Sequence, residues 1–252
     1  MKNQFPFVFF LMGFLLAPNL ALTANNKMSA EVSTDLVQIN TGFDGMNLLL
    51  FGTTNGANDI IIVIKGPLET NIIRKKTRVA GIWVNTEKVI MENVPTFYAI
   101  ASTRPLNQIT TQNILKKYEI GANNLPTNIL KKTNAKTMDI TDDYKNALVR
   151  LKNGLGLYID HPIKIKLIEN QLFKANIKFP ANVSTGKYTA RIYSFKNDLL
   201  FDVINKPILV EKVGIGADVF NLAHSHSALY GIFAILIAVA SGWIAAAIFR
   251  KV

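Results

Sequence analysis

The feature that most constrains this chain is a long uncharged segment near its C-terminus. Residues 228–249 contain no Asp, Glu, Lys or Arg over 22 positions. As an α-helix this segment is about 33 Å long, which matches the roughly 30 Å hydrocarbon core of a bilayer. A buried core helix is the alternative, but a chain of this size rarely buries so long a charge-free helix. We therefore predict one transmembrane helix over residues 228–249, with the lipid bilayer as its first partner.

The residues after this segment predict its orientation. Arg250 and Lys251 follow it directly, and basic residues beside a spanning helix favour the cytoplasm. We therefore predict a cytoplasmic tail over residues 250–252. The bulk of the chain then lies on the other side of an inner, cytoplasmic membrane, in the periplasm.

The N-terminus predicts the same orientation independently. Lys2 precedes an apolar stretch over residues 5–17, and small residues follow up to Ala24. This is the layout of a secretory signal peptide, and its apolar part is shorter than the roughly 20 residues of a spanning helix. We predict a signal peptide over residues 1–24, with an uncleaved N-terminal anchor as the alternative.

Charge and cysteine content narrow the chemistry of the exported part. The net charge is +11, and without Lys2, Arg250 and Lys251 the chain has 25 basic and 17 acidic residues. A basic surface favours anions such as headgroups, acidic polymers or small oxyanions, although part of the lysine excess reflects general composition. Nucleic acid is not an expected partner outside the cytoplasm. The chain has no cysteine, which excludes disulfides, thiol nucleophiles and cysteine-based metal sites.

Short segments with alternating apolar residues dominate the exported part and predict strands. Residues 42–45 predict a turn that pairs the first two strands as a hairpin. Residues 59–65 are apolar on both faces, which is typical of a central strand. The predicted strands cover residues 36–40, 47–51, 59–65, 70–76, 79–84, 89–91, 97–102, 163–168, 172–179, 187–195, 199–204 and 208–213.

Helical spacing interrupts these strands in the middle of the chain. Residues 107–118 and 139–152 predict helices, and the polar residues 123–136 predict a loop. The fold class is therefore mainly β, with immunoglobulin-like (Ig-like) sandwich units, a small helical insertion and one C-terminal transmembrane helix. The predicted regions are a β-sandwich over residues 25–106, a helical insertion over 107–154, a second β region over 155–213 and a juxtamembrane linker over 214–227. This linker is either a plain connection or a short amphipathic segment along the outer bilayer surface. The alternative is one sandwich shared by both β regions.

Several sequence blocks resemble a known family. Gly81-Ile82-Trp83-Val84-Asn85 and residues 94–106 (VPTFYAIASTRPL) are similar to conserved blocks of the alphaproteobacterial putative transmembrane protein family (Alph_Pro_TM). Further similar blocks are Ile64-Lys65-Gly66-Pro67, Lys212-Val213-Gly214, Leu222-Ala223-His224, Leu229-Tyr230-Gly231, Gly242-Trp243 and Phe249-Arg250. His226 departs from the family pattern. The resemblance covers the predicted mature chain and implies no established activity, and we predict no cofactor. By gene neighbourhood, family members accompany permeases of the sulfite-exporter type, which implies a periplasmic accessory role beside a transporter.

The predicted membrane helix also carries a candidate contact surface. Ala234, Ala238, Gly242 and Ala246 recur every four residues and form one ridge of small side chains. Small ridges let helices approach closely in lipid, where packing drives association. We predict a transmembrane helix partner, either a second copy or a polytopic protein; the alternative is that alanine is simply common in spanning helices.

Two groups of residues are candidate anion sites. Arg74, Lys75, Lys76 and Arg78 form a dense basic cluster predicted between two strands, where a solvated hairpin end is the alternative. Arg104 lies near Tyr98, Ser102 and Thr103. A guanidinium with neighbouring hydroxyls can bind an oxyanion in a forked geometry. A structural arginine bonded to loop carbonyls is the alternative.

Other candidate sites are weaker. His224 and His226 converge on one metal only in an extended segment, and nothing places Asp218, Asp160 or His161 beside them, so we predict no metal site. Asp139, Asp142 and Asp143 are explained by a helix start, where carboxylates are favoured. No catalytic motif is visible. The sequence thus predicts a non-enzymatic accessory protein of a transporter; the alternatives are a periplasmic anion- or headgroup-binding module and, third, an enzyme.

Overall fold

The structure is a computed structural model that describes residues 28–57, 59–126, 128–133 and 140–250. The predicted signal peptide, residues 1–24, lies outside the described residues. The prediction of a mainly β fold with one long apolar C-terminal helix is confirmed. The strands are β1 (Ala30–Val32), β2 (Leu36–Ile39), β3 (Gly45–Thr53), β4 (Asp59–Lys65), β5 (Leu68–Val79), β6 (Ile82–Pro95), β7 (Tyr98–Ser102), β8 (Asn128–Thr133), β9 (Tyr158–Lys164), β10 (Lys166–Ile168), β11 (Leu172–Pro180), β12 (Gly186–Lys196) and β13 (Leu199–Lys212). The helices are α1 (Leu106–Ile109), α2 (Gln112–Lys117), a 3-10 turn (Ala122–Asn124), α3 (Ile140–Gly154), α4 (Ile215–Ser225) and α5 (Ser227–Phe249).

Two sheets pack face to face around the main core. One sheet has the strand order β1-β3-β11-β10, and the other has the order β2-β13-β12-β4-β7-β9. The core between them takes alternate side chains from each strand, because successive side chains of a strand point to opposite faces. It includes Leu48 and Leu50 from β3, Phe173, Ile177 and Phe179 from β11, Ile60, Ile62 and Ile64 from β4, and Tyr188 and Ile192 from β12.

A second core covers the outer face of the six-stranded sheet. Ile61 and Val63, the β4 residues that point away from the main core, pack there with residues of α1, α2 and the 3-10 turn. This explains why β4 is apolar on both faces, and the prediction of a central strand over residues 59–65 is confirmed. The helices of the middle region thus form a layer on the sandwich.

Strands from both predicted β regions mix in both sheets. β3 pairs with β11 and β4 pairs with β12, so the two regions form one shared sandwich, as in the alternative stated above. The expected β2–β3 hairpin is wrong, because β2 pairs in parallel with β13 in one sheet while β3 lies between β1 and β11 in the other. The predicted turn over residues 42–45 instead carries the chain from one sheet to the other.

A long two-stranded ribbon, formed by β5 and β6, extends the β4–β7 pair. The Gly66 amide donates to the Phe97 carbonyl, and the Thr96 amide donates to the Pro67 carbonyl, so the ladder continues from Lys65–Tyr98 into Leu68–Pro95. The ribbon closes with Val79 opposite Ile82. The predicted strand over residues 79–84 is therefore wrong, since it contains the turn at Ala80 and Gly81.

Other elements cover one face of the half of the ribbon nearest the sandwich, while Leu68 and Ile72 in this half stay exposed. β8 pairs with β6, so the predicted loop over residues 123–136 is wrong at least over Asn128–Thr133. From α3, Tyr144 and Leu148 pack against the ribbon. The small core that results contains Ile73, Val89, Met91 and Val94 of the ribbon.

The chain ends in two helices. α4 occupies most of the predicted juxtamembrane region over residues 214–227, so this region contains a short helix and not only a plain linker. The predicted helix over residues 228–249 is confirmed as α5, which begins one residue earlier, at Ser227.

Candidate functional site

Helix α5 is uncovered along its length. It has 23 residues and a mean hydropathy of 2.5 in its most apolar window, and it contains no buried residue. Of the helices in the described ranges, it is the only one long and apolar enough to cross a membrane. An apolar helix without a protein cover is stable only in an apolar environment, and a bilayer provides one.

The four small residues of the predicted ridge lie on one exposed face of α5. Ala234, Ala238, Gly242 and Ala246 are all exposed. A Cβ added at Gly242 would meet no other atom within 4 Å. The ridge is thus open to an approaching helix, and the predicted contact with another helix stays a prediction.

The basic cluster lies within β5, close to the ribbon turn, rather than between two strands. Arg74, Lys75, Lys76 and Arg78 are all exposed. Lys75 lies 3.6 Å from a carboxylate oxygen of Glu87, and the Arg78 Nε donates to the Gly81 carbonyl at 3.2 Å. Within the described part of the chain, no carboxylate lies in ion-pair range of the other three. Their charge is therefore open to solvent or to an anionic surface.

Beyond this cluster the ribbon ends in apolar side chains that are exposed. Ile82 and Trp83 keep 67% and 69% of their surface, and Val79 and Val84 are also exposed. We call residues 79–84 the apolar tip. From the sequence, Trp83 was assigned only to a family block, and this exposed end of the ribbon was not predicted. The available signal was the uncharged stretch from Val79 to Val84 around an Ala-Gly pair.

A tight turn of the hairpin type holds the apolar tip together. Ala80 has φ 48° and Gly81 has φ 89°. Two successive positive φ angles define a type I′ turn, which matches the twist of antiparallel strands and normally contains Asn or Asp followed by Gly. Here Ala takes the first position, so the turn itself adds no polar side chain.

Arg104 is engaged by a carboxylate of its own chain. Its Nε donates to Asp59 Oδ1 at 2.8 Å and its Nη2 donates to Asp59 Oδ2, while the Thr103 hydroxyl donates to Oδ1 at 2.8 Å. The hydrogen bond from Arg104 lowers the pKa of Asp59 below its ordinary value. The forked geometry expected for an external oxyanion is therefore present, but Asp59 occupies it. This matches the structural alternative, with a carboxylate in place of loop carbonyls.

Tyr98 does not join Arg104 in a shared site. It is fully buried, and its hydroxyl accepts from the Gly121 amide at 2.7 Å and donates to the Glu119 carbonyl at 3.3 Å. Burial raises its pKa well above the ordinary tyrosine value. Tyr98 thus connects β7 to the helical layer, and of the predicted anion-binding residues only the basic cluster faces solvent free of a tight partner.

The histidines and aspartates considered for metal binding are separated. His224 lies in α4 with its ring on Phe220, and His226 lies at the break between α4 and α5. Asp142 and Asp143 lie in the first turn of α3, and Asp139 lies outside the described residues. Among the residues with described placement, no group of three or more His, Cys, Asp or Glu side chains could hold a metal ion.

One open depression of about 530 Å³ lies between α3 and β9. It is lined mainly by polar side chains, including Arg150, Asn153 and Asp160. One Asp160 carboxylate oxygen is buried there without a hydrogen-bond partner, and the side chain as a whole is 31% exposed. None of the candidate anion-binding or helix-packing residues lines this depression.

Comparison with known proteins identifies a family. A family model described as putative transmembrane protein (Alph_Pro_TM) matches residues 27–251, which is nearly the whole chain. Neither the search of characterised proteins nor the search of solved structures finds a match.

Proposed function

Since the chain belongs to the Alph_Pro_TM family of putative transmembrane proteins, we propose that it is a single-pass accessory protein of the inner membrane. In this proposal α5 spans the bilayer, the sandwich lies in the periplasm and the C-terminus lies in the cytoplasm. Arg250 and Lys251 at the C-terminal end of α5 support this orientation. The apolar N-terminal segment, with the layout of a signal peptide, supports it as well.

The proposed role is to bind a polytopic transporter through α5. The observation that carries it is the ridge of Ala234, Ala238, Gly242 and Ala246, which nothing in the described chain covers. In lipid, helices associate through close packing at such small residues. A transporter of the sulfite-exporter type is the proposed partner, because the family resemblance implies such a gene neighbour.

We propose binding, and not catalysis, as the activity of the sandwich. Two of the polar residues singled out from the sequence have structural partners: Arg104 holds Asp59, and Tyr98 bonds the backbone of the helical layer. These contacts engage both side chains within the fold, which supports the proposal.

Co-purification in mild detergent tests the transporter contact. We expect the full-length wild-type chain to recover a polytopic protein from native membranes, and Gly242→Leu to lose it because leucine fills the ridge. Ala240→Leu is the matched control, because it adds a similar side chain about half a turn away on the opposite face of α5. Equal behaviour of all three chains, with no polytopic partner, would overturn the proposal, and recovery of only a second copy would assign the ridge to self-association.

A second candidate function is binding of anions or lipid headgroups by the basic cluster. The observation that favours it is that Arg74, Lys76 and Arg78 are exposed and lack carboxylate partners among the described residues. Calorimetry of the full chain in detergent with sulfite, sulfate and an acidic lipid tests it. Heat with an acidic ligand that disappears in the Arg74→Gln, Lys76→Gln, Arg78→Gln variant supports it, and no heat with any ligand removes it.

A further inference from the structure

We propose that the apolar tip of the β5–β6 ribbon inserts into the headgroup region of the bilayer leaflet that faces the sandwich. The chain would then touch the membrane at two places, through α5 and through the apolar tip. The inference rests on the part of the proposed function that anchors the chain through α5, and it is independent of any helix partner.

The composition of the apolar tip favours contact with a membrane. Large side chains that are exposed singly need no explanation, but here Val79, Ile82, Trp83 and Val84 are exposed together around one turn. Tryptophan is enriched at membrane–water interfaces, where its ring enters the apolar region and its N–H reaches polar groups. Ala80 continues this pattern where a turn of this type usually has Asn or Asp.

The apolar side chains of the tip lie on both faces of the ribbon. Val79 pairs with Ile82, and Val84 lies on the same face as Ile82 because it is two residues further along β6. Trp83 points to the opposite face, together with its partner Arg78. A protein surface that covered one face would leave the other in water. A bilayer interface surrounds the apolar tip on both sides, so it satisfies both faces at once.

The position of the ribbon on the sandwich places it at the same end as the membrane anchor. β4 and β13 both run antiparallel to β12, and Thr189 of β12 lies opposite both Lys65 and Pro207. The C-terminal ends of β4 and β13 therefore lie at the same end of the sandwich. β13 leaves this end toward α4 and α5, and β4 continues from it into the ribbon. The ribbon and the membrane anchor thus start from the same end.

The length of the ribbon is sufficient for this contact. Twelve residues of β5 extend about 35 to 40 Å. The 11 residues of α4 separate the sandwich from α5 by at most about 16 Å of helix. The ribbon follows the β4–β7 pair in register through Gly66 and Phe97, and it has two register shifts further along, between Glu69 and Asn71 and between Lys75 and Lys76. Measured from the common level of Lys65 and Pro207, the last five residues of β13 and the helix α4 extend at most about 33 Å, so the ribbon reaches at least as far.

The charge of the ribbon behind the apolar tip favours an anionic lipid surface. Residues 74–88 contain five basic side chains and one carboxylate, Glu87. The basic side chains lie directly behind the apolar tip, where the phosphates of anionic lipids would lie if the apolar tip entered the interface. Apolar residues at the end and a basic collar behind them match the order of layers in an anionic leaflet.

Trp83 itself provides the readout. The chain has two tryptophans, so Trp243→Phe leaves Trp83 as the only one. We would place this full-length variant in nanodiscs of phosphatidylcholine and phosphatidylglycerol made with a tryptophan-free scaffold protein, with bromine on the acyl chains either near the glycerol or near the methyl end. We expect Trp83 emission at a shorter wavelength than in a water-exposed indole, and stronger quenching by bromine near the glycerol.

Two sets of variants, made in the Trp243→Phe chain, distinguish the contribution of the apolar tip from that of the basic cluster. Ile82→Ser with Val84→Ser should lose most of the quenching, while Ile72→Ser should keep it, because Ile72 is exposed on the same ribbon but lies outside the apolar tip. Arg74→Gln, Lys76→Gln and Arg78→Gln together should reduce quenching in phosphatidylglycerol discs. Their effect should be small in discs of phosphatidylcholine alone.

The result that overturns the inference is a Trp83 that emits as in water and is not quenched by either lipid. An emission shift without lipid quenching also overturns it, because the apolar tip would then be covered by protein. Recovery of α5 in the nanodisc reports on the anchor separately, and co-purification of a transporter reports on the ridge. Loss of either leaves a different signature from loss of Trp83 quenching.

Discussion

In the chain the β5–β6 ribbon directly continues β4 and β7 of the sandwich, yet similar apolar side chains are buried in the sandwich and exposed at the end of the ribbon. Within β4, Ile61, Ile62 and Val63 are fully buried, because one sheet face meets the second sheet and the other meets the helical layer. At the end of the ribbon, Ile82 and Trp83 are two-thirds exposed. Both places are antiparallel, hydrogen-bonded strand pairs. The comparison teaches that burial depends on what covers a strand, so an apolar stretch at an uncovered end has to be explained by a partner.

The largest expected effect comes from truncating the same residue type in the two regions. Ile62→Ala should lower the free energy of unfolding by about 2–5 kcal/mol, because it leaves a cavity in a closed core. Ile82→Ala should change it by no more than about 0.5 kcal/mol in detergent, since its side chain is mostly exposed. Urea unfolding followed by circular dichroism measures both. A loss at Ile82 as large as at Ile62 would show that the apolar tip is buried in a protein contact.

A smaller effect is expected from the ion pair at the start of β4. Arg104 lowers the pKa of Asp59 below its ordinary value of 3.8 in the folded chain. A carboxyl with a lowered folded-state pKa stabilises the fold fully above its unfolded pKa, and this contribution is lost as the pH falls through the folded-state pKa. We expect wild-type stability to fall more steeply on acidification below pH 3.8 than that of Arg104→Gln.

Urea unfolding at a series of acidic pH values measures this difference. Arg78→Gln is the matched control, because it removes an equivalent charge from the ribbon without touching Asp59. If wild type and Arg104→Gln have the same pH slope, the pair does not stabilise the fold.

The smallest effect is expected at the ribbon turn. Ala80 has a positive φ of 48°, which costs an L-residue other than Asn, Asp or Gly roughly 1–2 kcal/mol. Ala80→Asn should therefore stabilise the ribbon locally by up to about 1 kcal/mol, and Ala80→Val should destabilise it. Slower amide hydrogen exchange at the end of β5 and β6 in the Asn variant would show the gain. Faster exchange in the Asn variant than in the Val variant would contradict the turn assignment.

The elements with strong local signals were predicted well. Helix α5 was predicted to within one residue at its start, because a charge-free run of bilayer length is a property of consecutive residues. β4 was predicted with its observed bounds, since apolar residues on both faces indicate a strand covered twice. The pairing of β2 with β13 was not predicted, because it joins residues about 170 positions apart and depends on the whole sandwich.

The candidate site was likewise predicted in its residues but not in their partners or positions. The basic cluster was identified from its composition, but its place within β5 follows from the turn at Ala80 and Gly81, which has an unusual residue at its first position. Arg104 was identified as a forked donor. Its acceptor, Asp59, is 45 residues away in the sequence, and only the pairing of β4 with β7 brings the two together.

The sequence by itself determined the alternation that builds the strands, the length of the membrane helix, the ridge of small residues and the excess of basic charge. The first three depend on the order of neighbouring residues and on periods of two and 3.6, and the charge depends on composition, so all four are present before the chain folds. Only the tertiary structure decided which apolar strands are covered. Burial is set by contacts between distant segments, and these contacts cover β4 on both faces while they leave the end of the β5–β6 ribbon open.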